Sequence, residues 1–132
     1  MTLTDQPPVV LDQLPAPNIP LLRKAVEWAE AEAAKTDGSC LWNQGVYAVP
    51  TGCGTAFCIA GWTVATAHPD AKIIGLDTIV MPNGKGVAWE HEAQQLLGIT
   101  EQEGYDLFDP ENDIGTVREL AEHIAARAGE RL

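Results

Sequence analysis

The ten residues Cys53-Gly54-Thr55-Ala56-Phe57-Cys58-Ile59-Ala60-Gly61-Trp62 constrain this chain more than any other stretch. Ala56, Ala60 and Gly61 carry almost no side-chain bulk, so a helix built from them can sit at the centre of a domain and let a neighbouring backbone come close. The pattern predicts a helix from Thr55, its N-cap, to Ala67. His68-Pro69 ends it, because a residue before proline avoids helical angles. In that frame Cys53 stands just before the helix start and Cys58 lies in its first turn. Cys58, Trp62 and Ala65 share one face, and Gly52 and Gly54 turn the chain into the helix.

A chain of 132 residues is one domain and can bury roughly two-thirds of its unfolded surface. Residues 1–18 hold Pro7, Pro8, Pro15 and Pro17 with little periodicity and read as an extended arm, disordered unless Leu11 and Leu14 pack on the body or on a second subunit. That second option leaves a homo-oligomer open. Residues 19–132 read as a single globular, helix-rich domain. No apolar run approaches the ~18 residues of a membrane span, and Met1-Thr2-Leu3-Thr4-Asp5 has no signal-peptide character, so a cytoplasmic location is expected. Three cysteines do not make a secreted disulfide framework, so free thiols are expected. Nineteen acids against eight bases give a net charge of −11, which argues against nucleic acid and membrane surfaces as partners and suits a basic protein partner. Six of the acids, Glu101, Glu103, Asp106, Asp109, Glu111 and Asp113, fall together.

The fold class is α+β and predominantly α-helical, with four to five helices and a small β-hairpin in a single compact domain. The first helix takes Asn18 as N-cap, Pro20 in its first turn and Gly38 as its stop. Leu22, Ala25, Val26, Ala29 and Ala33 form its apolar stripe, and Glu27, Glu30, Glu32 and Lys35 its solvated side. Residues 40–50 look extended but irregular. Ile73-Ile74 and Thr78-Ile79-Val80-Met81 are β-prone, and Asn83-Gly84 marks a hairpin turn before Val87. Trp89, Ala93, Leu96 and Leu97 space a helix that Gly98 caps. Thr100 to Glu103 is a capping box for a short helix through Phe108, and Thr116 to Glu119 a second one for the last helix, closed by Gly129.

A thiol at a helix N-terminus faces the positive end of the macrodipole and free amides, which favour thiolate. Cys53 or Cys58 is therefore a candidate nucleophile for a hydrolase or transferase, with His91 as base. His68 sits at the far end of the helix, and His123 lies on a polar face between Glu119 and Arg127. Asn43-Gln44-Gly45 and Gly52-Cys53-Gly54 resemble the papain-like peptidases, in which a glutamine helps form the oxyanion hole and the cysteine opens a helix. The seven residues between Gly45 and Cys53 and the short chain depart from that family. A structural zinc would use Cys53 and Cys58 with Cys40 and His68 or His91, although no second Cys-x-x-Cys or His-x3–5-His pair is present. A Cys53–Cys58 dithiol switch is a further option. Asp109, Glu111 and Asp113 alternate like half a calcium loop, but Leu120 stands where the closing glutamate belongs. Asn83-Gly84-Lys85-Gly86 lacks the spacing of a phosphate loop.

Cys53-Gly54-Thr55-Ala56-x-Cys58-Ile59-Ala60-Gly61-Trp62, followed by Ala93-x-x-Leu96-Leu97-Gly98-Ile99-Thr100 and Leu107-Phe108, resembles a group of small uncharacterised proteins encoded by actinobacteria, their bacteriophages and some other bacteria. The match spans roughly residues 40–108. The resemblance implies an accessory protein that binds a host protein, and it carries no catalytic residue across. The favoured reading is a non-enzymatic accessory protein acting by protein–protein contact, with no cofactor. Glu101, Glu103, Asp106, Asp109, Glu111 and Asp113 would supply its acidic surface, and Trp42 and Tyr47 its aromatic anchors. The cysteine-dependent enzyme comes second and the zinc-binding module third.

Overall fold

The computed structural model describes residues 14–74 and 78–132; Pro7, Pro8 and Leu11 of the arm lie outside the described residues. The elements run α1 (Ile19–Ala33), β1 (Ala48–Thr51), β2 (Gly54–Phe57), α2 (Ile59–Ala67), β3 (Lys72–Ile74), β4 (Thr78–Val80), β5 (Gly86–Ala88), α3 (Trp89–Leu97), α4 (Glu101–Leu107) and α5 (Ile114–Arg127). The fold is helix-rich α+β, as its sequence predicts. No helix among the described residues is long and apolar enough to cross a membrane.

Local signals set most helix ends. Asn18 Oδ1 accepts the Leu21 N–H at 3.2 Å, opening α1 as expected. Thr100 and Glu103 exchange both bonds of a capping box, at 3.1 and 2.8 Å, and open α4. The last helix starts earlier than its sequence suggests. Asp113, not Thr116, is the N-cap of α5 and accepts the Thr116 N–H at 2.8 Å, which adds Ile114 to the apolar surface packed on the core. α1 ends at Ala33 rather than running on to Gly38, because Lys35 N–H turns back tightly to the Glu32 carbonyl. Glu32, expected on the solvated side, is buried: its carboxylate accepts the Leu41 N–H at 2.8 Å and pairs with Lys35 at 2.7 Å.

The largest departure from expectation concerns residues 54–57, expected at the start of a helix. They form β2, paired antiparallel with β1 (Val49 opposite Ala56, Pro50 opposite Thr55), and on its other side Phe57 bonds to the Leu41 carbonyl and the Asn43 N–H, each at 2.8 Å. Threonine and phenylalanine suit a pleated, half-buried surface, and two lanes of partners outweigh helix propensity over so short a run. β3, β4 and β5 make a second antiparallel sheet, whose β4–β5 turn is the expected one at Asn83-Gly84.

The core lies between α1, α2, α3 and α5, where Leu22, Val26, Ile59, Val64, Leu97 and Val117 are fully buried. α2 packs broadly on α3, and α1 on α5. Trp28 stacks on Trp62 with ring centroids 5.4 Å apart and meets Phe57 edge-on at 6.3 Å. The end of the arm is tied down. Asn18 N–H bonds the Leu97 carbonyl at 2.8 Å, Arg127 Nη1 donates to the Pro15 carbonyl at 2.9 Å, and Leu14 is exposed. Gly98 has φ 64°, and a Cβ there would stand 2.2 Å from the Ala16 carbonyl oxygen.

One close approach positions everything around α2. A Cβ at Gly61 would lie 1.6 Å from the carbonyl oxygen of Tyr47, so only glycine lets the 46–47 backbone lie on the helix. Cys58 N–H bonds the Val46 carbonyl at 2.8 Å in the same contact. Gly61→Ala must push that segment away, and we expect it to lose at least about 3 kcal/mol in urea denaturation, far more than a surface substitution.

Candidate functional site

The shift of β2 changes the setting of both thiols. α2 begins at Ile59, so Cys58 is its N-cap and accepts the Gly61 N–H on Sγ at 3.3 Å, rather than sitting within the first turn. Cys53 is not at the mouth of a helix. It lies exposed in the β1–β2 turn, its N–H donated to Thr51 Oγ1 at 3.1 Å. The macrodipole therefore acts on Cys58. That thiol is only 2% exposed, and burial pushes it up to about 11 despite the amides of Gly61 and Ala60 that pull it down. Near neutral pH it remains protonated.

The amides of the α2 N-terminus are engaged by the protein itself. Ile59 N–H points to Gln44 Oε1 at 3.4 Å, Gly61 N–H to the Cys58 sulfur, and Trp62 N–H to the Cys58 carbonyl at 3.0 Å. Gln44 is buried and donates its Nε2 to the Leu107 carbonyl at 2.8 Å, while its Oε1 also takes Trp42 Nε1–H at 3.1 Å. Its amide is a strut between α4 and α2, turned so that an acceptor rather than a donor faces the helix start.

The histidines stand elsewhere. His68 is the C-cap of α2, its Nε2 2.9 Å from Glu92 Oε2; His91 and His123 are exposed on α3 and α5. The small cavity of about 100 Å³ at Cys58 is lined by Gln44, Gly45, Val46, Tyr47, Glu90, Phe108 and Pro110, with no imidazole among them. Cys40 is exposed, with its Sγ 3.3 Å from the Trp42 carbonyl. Cys53, Cys58, Cys40 and His68 are thus not brought together, and among the described residues no three His, Cys, Asp or Glu side chains group to hold a metal.

The acidic run divides by role. Glu103 closes the α4 capping box and forms a two-bonded pair with Arg127, at 2.6 and 2.9 Å. Asp113 caps α5, and Asp109 Oδ1 accepts the Glu111 N–H at 2.9 Å. Asp106 takes a bond from Gln102 Nε2, also at 2.9 Å. Glu101 and Glu111 are exposed. Trp42 and Tyr47 are half-buried against the core, with the Tyr47 hydroxyl donating to Glu90 Oε1.

The exposed aromatic is a residue the sequence reading passed over. Tyr105 on α4 is 75% exposed. It borders a groove of about 390 Å³ lined by Ala88, Glu90, His91, Gln94, Glu101, Gly104 and Phe108. A second hollow of about 190 Å³ continues along Glu90, Tyr105, Phe108, Asp109 and Pro110. Glu90 and Phe108 border both hollows and the Cys58 cavity, so the Tyr105 cleft lies beside that cavity. Neither lysine nor arginine lines it. The signal for Tyr105 was available: Gly104 and Leu107 mark the buried side of α4, and a tyrosine off that side must face water.

Two outcomes follow from this electrostatic picture. Iodoacetamide applied to the folded protein near neutral pH should alkylate exposed Cys53 and Cys40 and leave Cys58 unmodified by peptide mapping, since the thiolate is the reactive form. Burial works to raise the Glu103 pKa, but the Arg127 hydrogen bond, the Thr100 N–H and the Arg127 charge outweigh it and hold the carboxyl below 4.5. A lowered folded-state pKa gives stability that is complete above the unfolded value and lost as pH falls through the folded one. The urea midpoint should stay level from neutral pH down to about 5, then fall below 4.5. Arg127→Ala should start lower and fall less steeply. No protein-family model, curated protein or solved structure matches the chain, so its own side chains are the basis for reading its function.

Proposed function

We propose that this chain is a non-enzymatic accessory protein of the bacteriophage or actinobacterial kind that works by protein–protein contact, with its α3–α4 face taking up a basic surface of a host protein. The observation that carries this reading is the cleft beside Tyr105. A largely exposed aromatic ring shares its hollows with Glu90, Glu101 and Asp109, and among the described residues neither lysine nor arginine lines them. Exposed tyrosines on the rim of a groove are frequent anchors of interfaces, and unneutralised carboxylates steer a partner of opposite charge. The net charge of −11 supports the same choice of partner. The resemblance of the Cys53–Trp62 motif to phage and actinobacterial proteins supports the accessory role.

The contact surface proposed from sequence is thereby narrowed. Glu103 and Asp113 serve the helix ends, Trp42 and Tyr47 brace the interior, and Glu101, Glu111 and Tyr105 are the groups free to meet a partner. The test uses Glu101→Lys/Glu111→Lys and Tyr105→Ala, all at exposed positions outside the caps. A basic host protein captured by the wild type should be retained less as salt rises. It should be lost on double charge reversal and bind roughly 30-fold more weakly to Tyr105→Ala. A partner held equally by all three proteins would show that this face is not the contact.

A further inference from the structure

We infer that the Asn83-Gly84 turn between β4 and β5 is a site of spontaneous covalent modification, where Asn83 loses ammonia through a cyclic imide and leaves aspartate and isoaspartate that loosen the hairpin.

The reaction needs an asparagine amide within reach of the following backbone nitrogen, and a glycine in that place puts no Cβ in the path of attack. Of the four asparagines, Asn18 precedes Ile19, Asn43 precedes Gln44, Asn112 precedes Asp113, and only Asn83 precedes a glycine. The fold separates them further. Asn18 Oδ1 caps α1, and Asn112 Nδ2 donates to the Asp106 and Leu107 carbonyls at 2.8 and 3.2 Å. Asn43 is tied to Phe57 through its N–H, and Gln44 after it is buried. At the β4–β5 turn Asn83, Gly84, Lys85 and Gly86 are all exposed, and a Cβ built on Gly84 would meet nothing within 4 Å. Two hydrogen bonds hold the reacting groups: Gly84 N–H donates to the Met81 carbonyl at 2.8 Å, and Lys85 N–H to Asn83 Oδ1 at 2.9 Å. Both sit at the end of three-residue strands, so the turn opens by local fluctuation while the helices stay packed.

In the opened turn the Gly84 nitrogen gives its proton to hydroxide and bonds to Asn83 Cγ. The Cγ–Nδ2 bond breaks, and Nδ2 takes a proton from water and leaves as ammonia. Water then opens the imide at either carbonyl. Opening at Cγ restores the main chain with aspartate at 83. Opening at the main-chain carbonyl routes the chain through Cβ and Cγ as isoaspartate, one carbon longer. That extra carbon falls between the Gly84–Met81 bond and the Met81–Lys85 bond that close the hairpin. β4 carries the buried Ile79, and β5 runs directly into Trp89 of α3, so the loosening reaches the core.

The Asp37-Gly38 turn supplies a comparison within the same chain. Asp37 Oδ1 accepts the Ser39 N–H at 3.0 Å, and Gly38 has φ 83° against 85° at Gly84. There the attacked group is a carboxylate, which the Ser39 hydroxyl and N–H hold ionised below its ordinary range. Near neutral pH it offers no amide to expel.

The experiment ages the full chain in warm, mildly alkaline buffer and maps it by mass spectrometry, with isoaspartate counted by enzymatic methyl transfer from S-adenosylmethionine. Asn83 should convert at least roughly tenfold faster than Asn18, Asn43 and Asn112, with isoaspartate present at 83 and absent at 37. The rate should rise about tenfold for each pH unit, because the amide anion is the nucleophile. It should rise again in urea below the unfolding midpoint, which opens the turn. Asn83→Asp carries the new charge on an ordinary main chain and should melt with fresh wild type, whereas aged protein enriched in isoaspartate should melt at least about 2 °C lower. An Asn83 that survives in the folded chain and converts only once urea unfolds it would overturn the inference. So would isoaspartate-rich protein that melts like fresh wild type.

Discussion

The contact of Gly61 with the Tyr47 carbonyl is the constraint from which the rest of the site follows. A helix normally holds neighbouring backbone at a distance set by its Cβ atoms, and at Gly61 that spacer is missing. The segment before β1 can then cross the first turn of α2, where its Val46 carbonyl takes the Cys58 N–H. Two side chains of this crossing segment are placed by that approach. Gln44 is driven under α4 to reach the Leu107 carbonyl, and Tyr47 reaches Glu90 on α3. The segment thereby links α2, α3 and α4 and walls the small cavity at Cys58.

The same crossing explains why a thiol serves as N-cap. Serine or aspartate would cap more strongly, but this cap is 2% exposed and covered by the 46–47 segment. A hydroxyl there would need a partner for its own proton, and a carboxylate would carry buried charge. A thiol is a weak acceptor that is comfortable among apolar neighbours. With Gln44 Oε1 supplementing it at Ile59, the helix start is closed by groups of the chain. An arrangement that resembles an activated cysteine in sequence is, in the fold, a buried cap raised to about 11.

What could be read from sequence was what is locally determined. Asn18, the Thr100–Glu103 box, Gly98 and the Asn83-Gly84 turn act within a few residues of themselves, and each does what its spacing predicts. Residues 55–57 could not be read this way, because their strand state depends on partners at 41–43 and 48–50. The spacing of Thr116 and Glu119 points to Thr116 as the cap of the last helix, whereas Asp113 holds that place and Ile114 joins the surface packed on the core. The acids between 101 and 113 looked alike in sequence, yet an ion pair to Arg127, far along the chain, removes Glu103 from the surface charge. The cleft was least legible. It arises where α3 meets α4 and the turn after it, and Glu90, Gly104 and Phe108 have no shared pattern in one dimension.

The glycines put these two kinds of information in order. Gly61 and Gly98 sit where backbone meets backbone, and the free protein needs them to fold. Gly104 is buried in a different way: a Cβ there would meet the Phe108 and Gln94 side chains at 3.4 and 3.6 Å rather than backbone. A side chain can give by a few tenths of an ångström where a carbonyl held in place by its own hydrogen bonds cannot. The demand for glycine is therefore strict at Gly61 and Gly98 and slight at Gly104, and only the first two follow from how distant parts of the chain meet.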